Sequence, residues 1–179
     1  MSTRIAAILG LLALAIPGAT ELAACGDKFL VGLRGGAGFR YLNAAHPTSI
    51  LVYWQADLDD TEDAGDQVLK AALETAGHTV VIAKDSAAFY REAATGAFEV
   101  FMMELATARA EQGRLSGVAP DSAILPVLHF ATRREYAAVK KEFGHAVRTP
   151  TTLNELLPQI DKARQAAGLE ATPWTAADD

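Results

Sequence analysis

Phe98-Glu99-Val100-Phe101-Met102-Met103-Glu104-Leu105 is the stretch on which the fold turns. It is a nearly continuous apolar run, too short for a typical helix, with Gly96 upstream and Thr107 downstream. A short apolar run between helical patterns reads as a strand covered on both faces, at the centre of a parallel sheet. Open α/β sheets hold ligands and chemistry at the carboxyl ends of such strands. Glu104, at the far end of the run, is therefore the first candidate site residue, and Met102 and Met103 read as core.

Outward from this run the chain alternates. Upstream, Ser49–Gln55 is an apolar strand, Ala56–Gly65 an acidic loop and Asp66–Ala76 an amphipathic helix stopped by Gly77. Thr79–Ala83 is a second strand, and Ser86 caps a helix over Ala87–Thr95. Downstream, Thr107–Ser116 is a weaker helix and Ser122–Phe130 a fourth strand. Arg133–Phe143 is a helix ended by Gly144, His145–Arg148 a very short strand, and Thr152–Ala167 a last helix bent at Pro158. Five strand–helix units at this spacing imply parallel strands and right-handed crossovers. The expected fold is a three-layer α/β sandwich over 49–167, flavodoxin-like, with strand order 2-1-3-4-5. Residues 168–179 read as an acidic tail with Trp174 docking.

Composition narrows the function classes. A chain of 179 residues suggests one domain, and 50% hydrophobic residues supply a sizeable core. A net charge of −6 with no basic cluster excludes nucleic acid as a partner. The single cysteine, Cys25, excludes an internal disulfide and a Cys-rich metal site. His46, His78, His129 and His145 are scattered without ligand spacing, so neither a metal nor a cofactor is expected. Asp57-x-Asp59-x-Thr61-x-Asp63 looks superficially like the start of a calcium loop. It lacks the glycine at the sixth position and the glutamate at the twelfth, where Val68 stands. These acids read as solvated loop charges near a helix N-terminus. There is no Gly-x-Ser-x-Gly, so no nucleophile elbow.

The N-terminal part reads as an address. Arg4 followed by the apolar stretch Ile5–Ile16 and the break at Pro17-Gly18 has the form of a signal peptide over 1–24, and is too short for a membrane span. Leu22-Ala23-Ala24-Cys25 resembles the lipobox of bacterial lipoproteins, in which small residues precede a cysteine that is acylated and becomes the new N-terminus. Export is expected, with lipidation of Cys25 anchoring the protein on the periplasmic side of the membrane. Without that modification it would be a secreted or periplasmic protein with a free thiol. Residues 25–48 are a Gly-rich tether. They carry neither Gly-x-Gly-x-x-Gly nor Gly-Lys-Ser/Thr, so a phosphate-cradling loop is not read there.

Several features together carry a family resemblance. They are Gly-His-Thr-Val at 77–80, the Phe98–Leu105 strand, Leu-Pro-Val-Leu at 125–128, and Thr149-Pro150 followed by Leu153-Asn154-Glu155-Leu156-Leu157. Ser49–Ala163, about two thirds of the chain, resembles a response-regulator receiver domain. The resemblance implies a phosphorylation centre. It would have an acidic pair after strand one for Mg²⁺, an aspartate ending strand three, a hydroxyl after strand four and a lysine before the strand-five proline. At the matching positions stand Trp54 and Gln55, Glu104, Ala131 or Thr132, and Thr149. Without the metal pair and the cation, charge developing on a transferred phosphoryl group has nothing to offset it. Phosphorylation is expected to fail, and Glu104 to act as a fixed charge at a pseudo-phosphoacceptor position.

The function expected is an exported, lipid-anchored pseudo-receiver. It would serve as a non-catalytic interaction or signalling scaffold at the bacterial cell envelope, with an envelope protein as partner. Receiver resemblance implies a partner face on helix four, strand five and helix five, with Tyr136, Val139, Lys140 and Leu156 as its candidates. One alternative is a small-ligand-binding envelope lipoprotein using the pocket over Glu104, His129 and Thr149. Another is a small enzyme in which Glu104, His129 and Arg148 form an acid–base pair or anion site. The plainer reading of those three is a polar cluster that satisfies itself.

Overall fold

A computed structural model describes residues 44–54 and 62–169. The elements run β1 Ser49–Tyr53, α1 Glu62–Thr75, β2 Thr79–Ala83, α2 Ser86–Ala93, β3 Val100–Glu104, α3 Leu105–Val118, β4 Ala123–His129, α4 Arg133–Phe143, β5 Val147–Thr149 and α5 Leu153–Ala166. All strand pairs are parallel, and the sheet order is β2-β1-β3-β4-β5. This is the flavodoxin-like three-layer α/β sandwich that the alternation predicts.

Side-chain alternation along the strands divides the core into two layers. Ile50, Val52, Val100, Met102, Leu125 and Val127 pack with α1 and α5, through Leu69, Leu73, Leu156 and Ile160. Leu51, Phe101 and Met103 pack on the other face with Phe89 of α2 and Ala108 and Leu115 of α3. A smaller cluster of Leu128, Val139 and Ala146 seats α4 beside α3. Val100, Phe101, Met102 and Met103 are all essentially inaccessible, as a strand with helices on both faces must be. Each such side chain contributes about 1.5–3 kcal/mol on burial.

Several boundaries differ from those read in the sequence, each for a local reason. β3 begins at Val100 because Phe98 and Glu99 are taken up by cross-strand polar bonds. Ser122 Oγ donates to the Phe98 carbonyl (2.6 Å), and Glu99 N–H donates to the Ser49 carbonyl (3.0 Å). α3 starts at Leu105, with no loop after the strand, so Glu104 is both the last strand residue and the helix N-cap. α2 is capped by Asp85, not Ser86, since the Asp85 carboxylate accepts the Ala88 N–H at 2.7 Å. α1 extends back to Glu62, into the expected acidic loop. β5 starts later than expected and includes Thr149, which pairs in register with His129. α4 ends as expected on Gly144, whose φ of 81° is a left-handed conformation that glycine adopts without strain.

The amino ends of the strands are closed by a half-buried ion pair. Arg164 of α5 donates to Glu99 Oε1 through Nε (3.3 Å) and Nη2 (2.9 Å), and Glu99 Oε2 accepts the Ser49 N–H (3.1 Å). This ties α5 to β1 and to the entry of β3. His78 lies beside it, buried, with the Thr48 backbone as its polar neighbour. Burial, with Arg164 adding to it, lowers the His78 pKa from 6.5 to about 4, against weaker opposing effects of the Thr48 backbone and Glu99. Burial also lowers His145, whose Nε2 meets the Ile124 carbonyl at 2.8 Å.

An unfolded chain therefore takes up a proton at His78 that the folded chain refuses. The stability involved is intact above about pH 6.5 and is lost as the pH falls toward 4. The loss from His78 alone is expected to be about 3 kcal/mol. Urea unfolding followed across that window should show it. His78→Leu should flatten most of the slope and leave a smaller remainder from His145. An unchanged slope in His78→Leu would show that the ring is not the source.

Candidate functional site

The carboxyl ends of β3, β4 and β5 bring Glu104, His129 and Thr149 together. Register does this directly, since Glu104 pairs with Val127 and His129 with Thr149. His129 Nδ1 is 2.8 Å from Thr149 Oγ1. His129 Nε2 is 3.6 Å from Glu104 Oε1, and the two side chains are 34% and 35% exposed. Thr149 is buried, and its hydroxyl donates to the Leu128 carbonyl at 3.4 Å. A hydroxyl has one proton to give. Thr149 has two acceptors within reach of it, the Leu128 carbonyl at 3.4 Å and the closer His129 Nδ1 at 2.8 Å, and His129 Nε2 faces Glu104. Glu104 makes no hydrogen bond among the described residues, and it does not cap α3.

Trp54, just past β1, walls this edge. Its ring meets His129 edge-on with centroids 6.2 Å apart, and its Nε1–H donates to Asp66 Oδ1 at 2.8 Å. It stands where the resemblance puts a metal-binding acid. Gln55, the other half of that pair, lies outside the described residues, as do most of the acidic loop and Cys25. Tyr53, on the opposite sheet face, has its hydroxyl pushed up by burial and then by the acids Asp85, Glu111 and Glu104, so its surroundings are anionic. Among the described residues no group of three or more His, Cys, Asp or Glu side chains is placed to hold a metal ion.

Thr132 does not face Glu104 as a catalytic hydroxyl would. It caps α4, accepting the Glu135 N–H at 3.3 Å while the Glu135 carboxylate accepts the Thr132 N–H at 2.7 Å. The Thr132 hydroxyl, and then its backbone N–H, hold Glu135 below the usual carboxylate range. Arg148 points to the other side of β5 from Thr149. It stands 5.9 Å from the Tyr136 ring and borders a cleft of about 250 Å³ with Tyr136, Pro150 and Glu155. The structure thus unites Glu104 and His129 and leaves Arg148 on the α4–α5 side. On that side Tyr136 and Lys140 are partly exposed, but Val139 and Leu156 are buried and cannot meet a partner. Their apolar character belongs to the core-facing stripes of α4 and α5.

Sequence reasoning missed Phe130. It follows His129 at the end of β4, its side chain is 69% exposed, and its φ is 49°, a left-handed conformation unfavourable to a bulky side chain. Its N–H donates to the Thr149 carbonyl at 3.0 Å, which fixes the backbone there. Phe130, Glu104 and His129 border a groove of about 610 Å³ between α3 and α4, floored by Leu105, Leu128 and Val139. The only signal in the sequence is an aromatic residue directly after a strand end.

No family model matches the chain, and no curated protein matches it. Among solved structures it is similar to a response regulator protein from Burkholderia pseudomallei, determined with a phosphorylated aspartic acid, a calcium ion and citrate. The identity is 20%, over 68% of this chain and 69% of that one, with a TM-score of 0.49. The assignment of a receiver-like, flavodoxin-like α/β fold rests on strand order, register and the placing of α1 and α5 against α2, α3 and α4.

Thr149→Val tests the polar contact at the strand ends. Valine keeps the shape and removes the hydroxyl, and water can reach the half-exposed imidazole in its place. Urea unfolding should show a loss of about 1 kcal/mol, the net worth of one such bond. The ring ¹⁵N shifts of His129 should move with it, and unchanged shifts would mean the contact is not made in solution.

Proposed function

We propose that this chain is an exported, lipid-anchored pseudo-receiver that acts as a non-catalytic interaction or signalling module at the bacterial cell envelope. One observation carries the non-catalytic part. Thr149 occupies the end of β5, and its hydroxyl is engaged by His129 and the Leu128 carbonyl. Phosphoryl transfer to a carboxylate at the end of β3 needs a cation at that place, to offset charge on the equatorial oxygens. A buried hydroxyl supplies none. The Trp54 indole, tied to Asp66, stands in the place of a metal-binding acid.

Anchoring rests on Leu22-Ala23-Ala24-Cys25 and the apolar stretch before it. A lipidated Cys25 and the residues 25–48 would hold the folded unit near a membrane surface while leaving it free to meet an envelope protein. The face of α4, β5 and α5 suits that meeting. Tyr136 lies between two cations there, Lys140 Nζ at 5.7 Å and the Arg148 guanidinium at 5.9 Å, so an acidic partner fits.

Two measurements test the reading. Incubation with acetyl phosphate and Mg²⁺, followed by mass spectrometry, should leave Glu104 unlabelled; stoichiometric, Mg²⁺-dependent labelling would overturn the non-catalytic assignment. Mass spectrometry of the mature N-terminus in a bacterial host should find diacylglyceryl-modified Cys25, and an unmodified N-terminus would remove the anchor.

A further inference from the structure

Phe130 is the most exposed large apolar side chain among the described residues, at 69%, against 42% for Val68 and 41% for Val118. Its backbone stands at a φ of 49°, where a bulky side chain is disfavoured, and its N–H bond to the Thr149 carbonyl holds it there. Glycine would take that conformation without strain. A strained backbone that carries an exposed ring points to a use for the ring.

The groove between α3 and α4 is the reverse feature. It measures about 610 Å³, and Leu105, Ala106, Leu128, Ala138 and Val139 line it with apolar surface. Phe130 borders it without filling it. The fold thus sets a ring without a pocket beside a pocket without a ring. Charge divides in a similar way. Glu104 and Glu135 line the groove, and its guanidinium, Arg109, is already paired with Glu142 at 2.6 Å. Arg134 lies one helical turn before the lining Ala138, so it flanks the groove. It is exposed and makes no ion pair among the described residues.

We propose that the α3–α4 face is a self-complementary docking surface and that its occupant is a second copy of this chain. A two-fold axis through the groove rim sets each Phe130 ring into the other copy's groove, against Leu105 and Val139. It also turns each Arg134 toward the acidic lining opposite. A different protein would have to bring both a ring and a pocket, whereas a second copy carries both. The two helices are large enough for such a contact. Side by side, the 14 residues of α3 and the 11 of α4 cover about 20 Å by about 20 Å. That is the footprint of a small specific interface, about 1,200 Å² in total. A dimer of this size is weak, with a dissociation constant of about 10–100 µM, and Phe130 is its central anchor. The contact goes beyond the envelope role proposed above and needs no acyl group on Cys25.

Sedimentation velocity of the full-length chain under reducing conditions, from about 5 to about 500 µM, tests it. The chain should pass from monomer to dimer across that range. Phe130→Gly should weaken the dimer about tenfold or more, the loss of one central aromatic anchor. The midpoint of thermal unfolding at low concentration should hold or rise in that variant, because glycine accepts the left-handed backbone. Ala138→Trp should weaken the dimer by a similar factor from the other side, since the indole fills the groove that the incoming ring needs. Ala138 is exposed, so the added bulk disturbs no core. Arg134→Glu should weaken the dimer more at low salt than at high. The proposal is overturned if the chain stays monomeric to about 1 mM, beyond the range of a specific contact of this size, which would leave the groove to another kind of occupant. It is overturned equally if Phe130→Gly or Ala138→Trp dimerises as the wild type does, which would place the contact on another face.

Discussion

A strand enclosed on both faces can offer chemistry only at its ends, and β3 shows how far that constraint reaches. Its side chains from Val100 to Met103 are buried against α1 and α5 on one face and α2 and α3 on the other. A polar group along this stretch would lose water and find no partner, at a cost of several kcal/mol. Glu104 is the first position at which the strand meets solvent, because the chain turns there directly into α3. Its side chain is about one third exposed and faces His129 Nε2 at 3.6 Å. The opposite end obeys the same rule by another route. Glu99 carries a carboxylate at the amino edge, where Arg164 supplies a bidentate counterion and Ser49 a backbone donor. One strand therefore ends in a neutralised carboxylate at the bottom of the sheet and in a carboxylate without hydrogen bonds at the top.

That asymmetry separates a structural ion pair from a carboxylate that holds no element in place. The Glu99–Arg164 pair links β1, β3 and α5, and removal of Glu99 would leave the Arg164 guanidinium buried and uncompensated, which is strongly destabilising. Nothing comparable depends on Glu104. His129 Nε2, at 3.6 Å, is beyond hydrogen-bond reach, so among the described residues the carboxylate has no hydrogen bond to lose. A surface charge that contributes little to folding is available for binding.

The order of the elements is legible in the sequence because it rests on local signals. Gly77 and Gly144 sit where helices must end, apolar runs mark the strands, and the alternation of five units leaves few topologies open. The Glu104–His129 juxtaposition is legible for the same reason, since both residues close apolar strands that such a sheet places side by side. What sequence cannot give is the direction of side chains at those edges. Arg148 and Thr149 are neighbours in the chain but lie on opposite sides of β5, and only the register with Leu128 and His129 decides which one meets the imidazole. Val139 and Leu156 look like surface anchors until the packing of α4 and α5 is known. Phe130 is invisible for a different reason. Its exposure follows from a left-handed backbone that its residue type disfavours, and propensity argues against that conformation rather than for it.

The contacts of His129 join these points. A histidine beside a carboxylate usually invites the reading of an acid–base pair, with the carboxylate steadying an imidazole proton. Here the second ring nitrogen is also engaged. Thr149 is buried at the end of β5, and its hydroxyl lies 2.8 Å from His129 Nδ1 and 3.4 Å from the Leu128 carbonyl, so β5 fixes the imidazole from below while Nε2 faces Glu104. The register of a three-residue strand thus decides the geometry at the end of β3, two strands away.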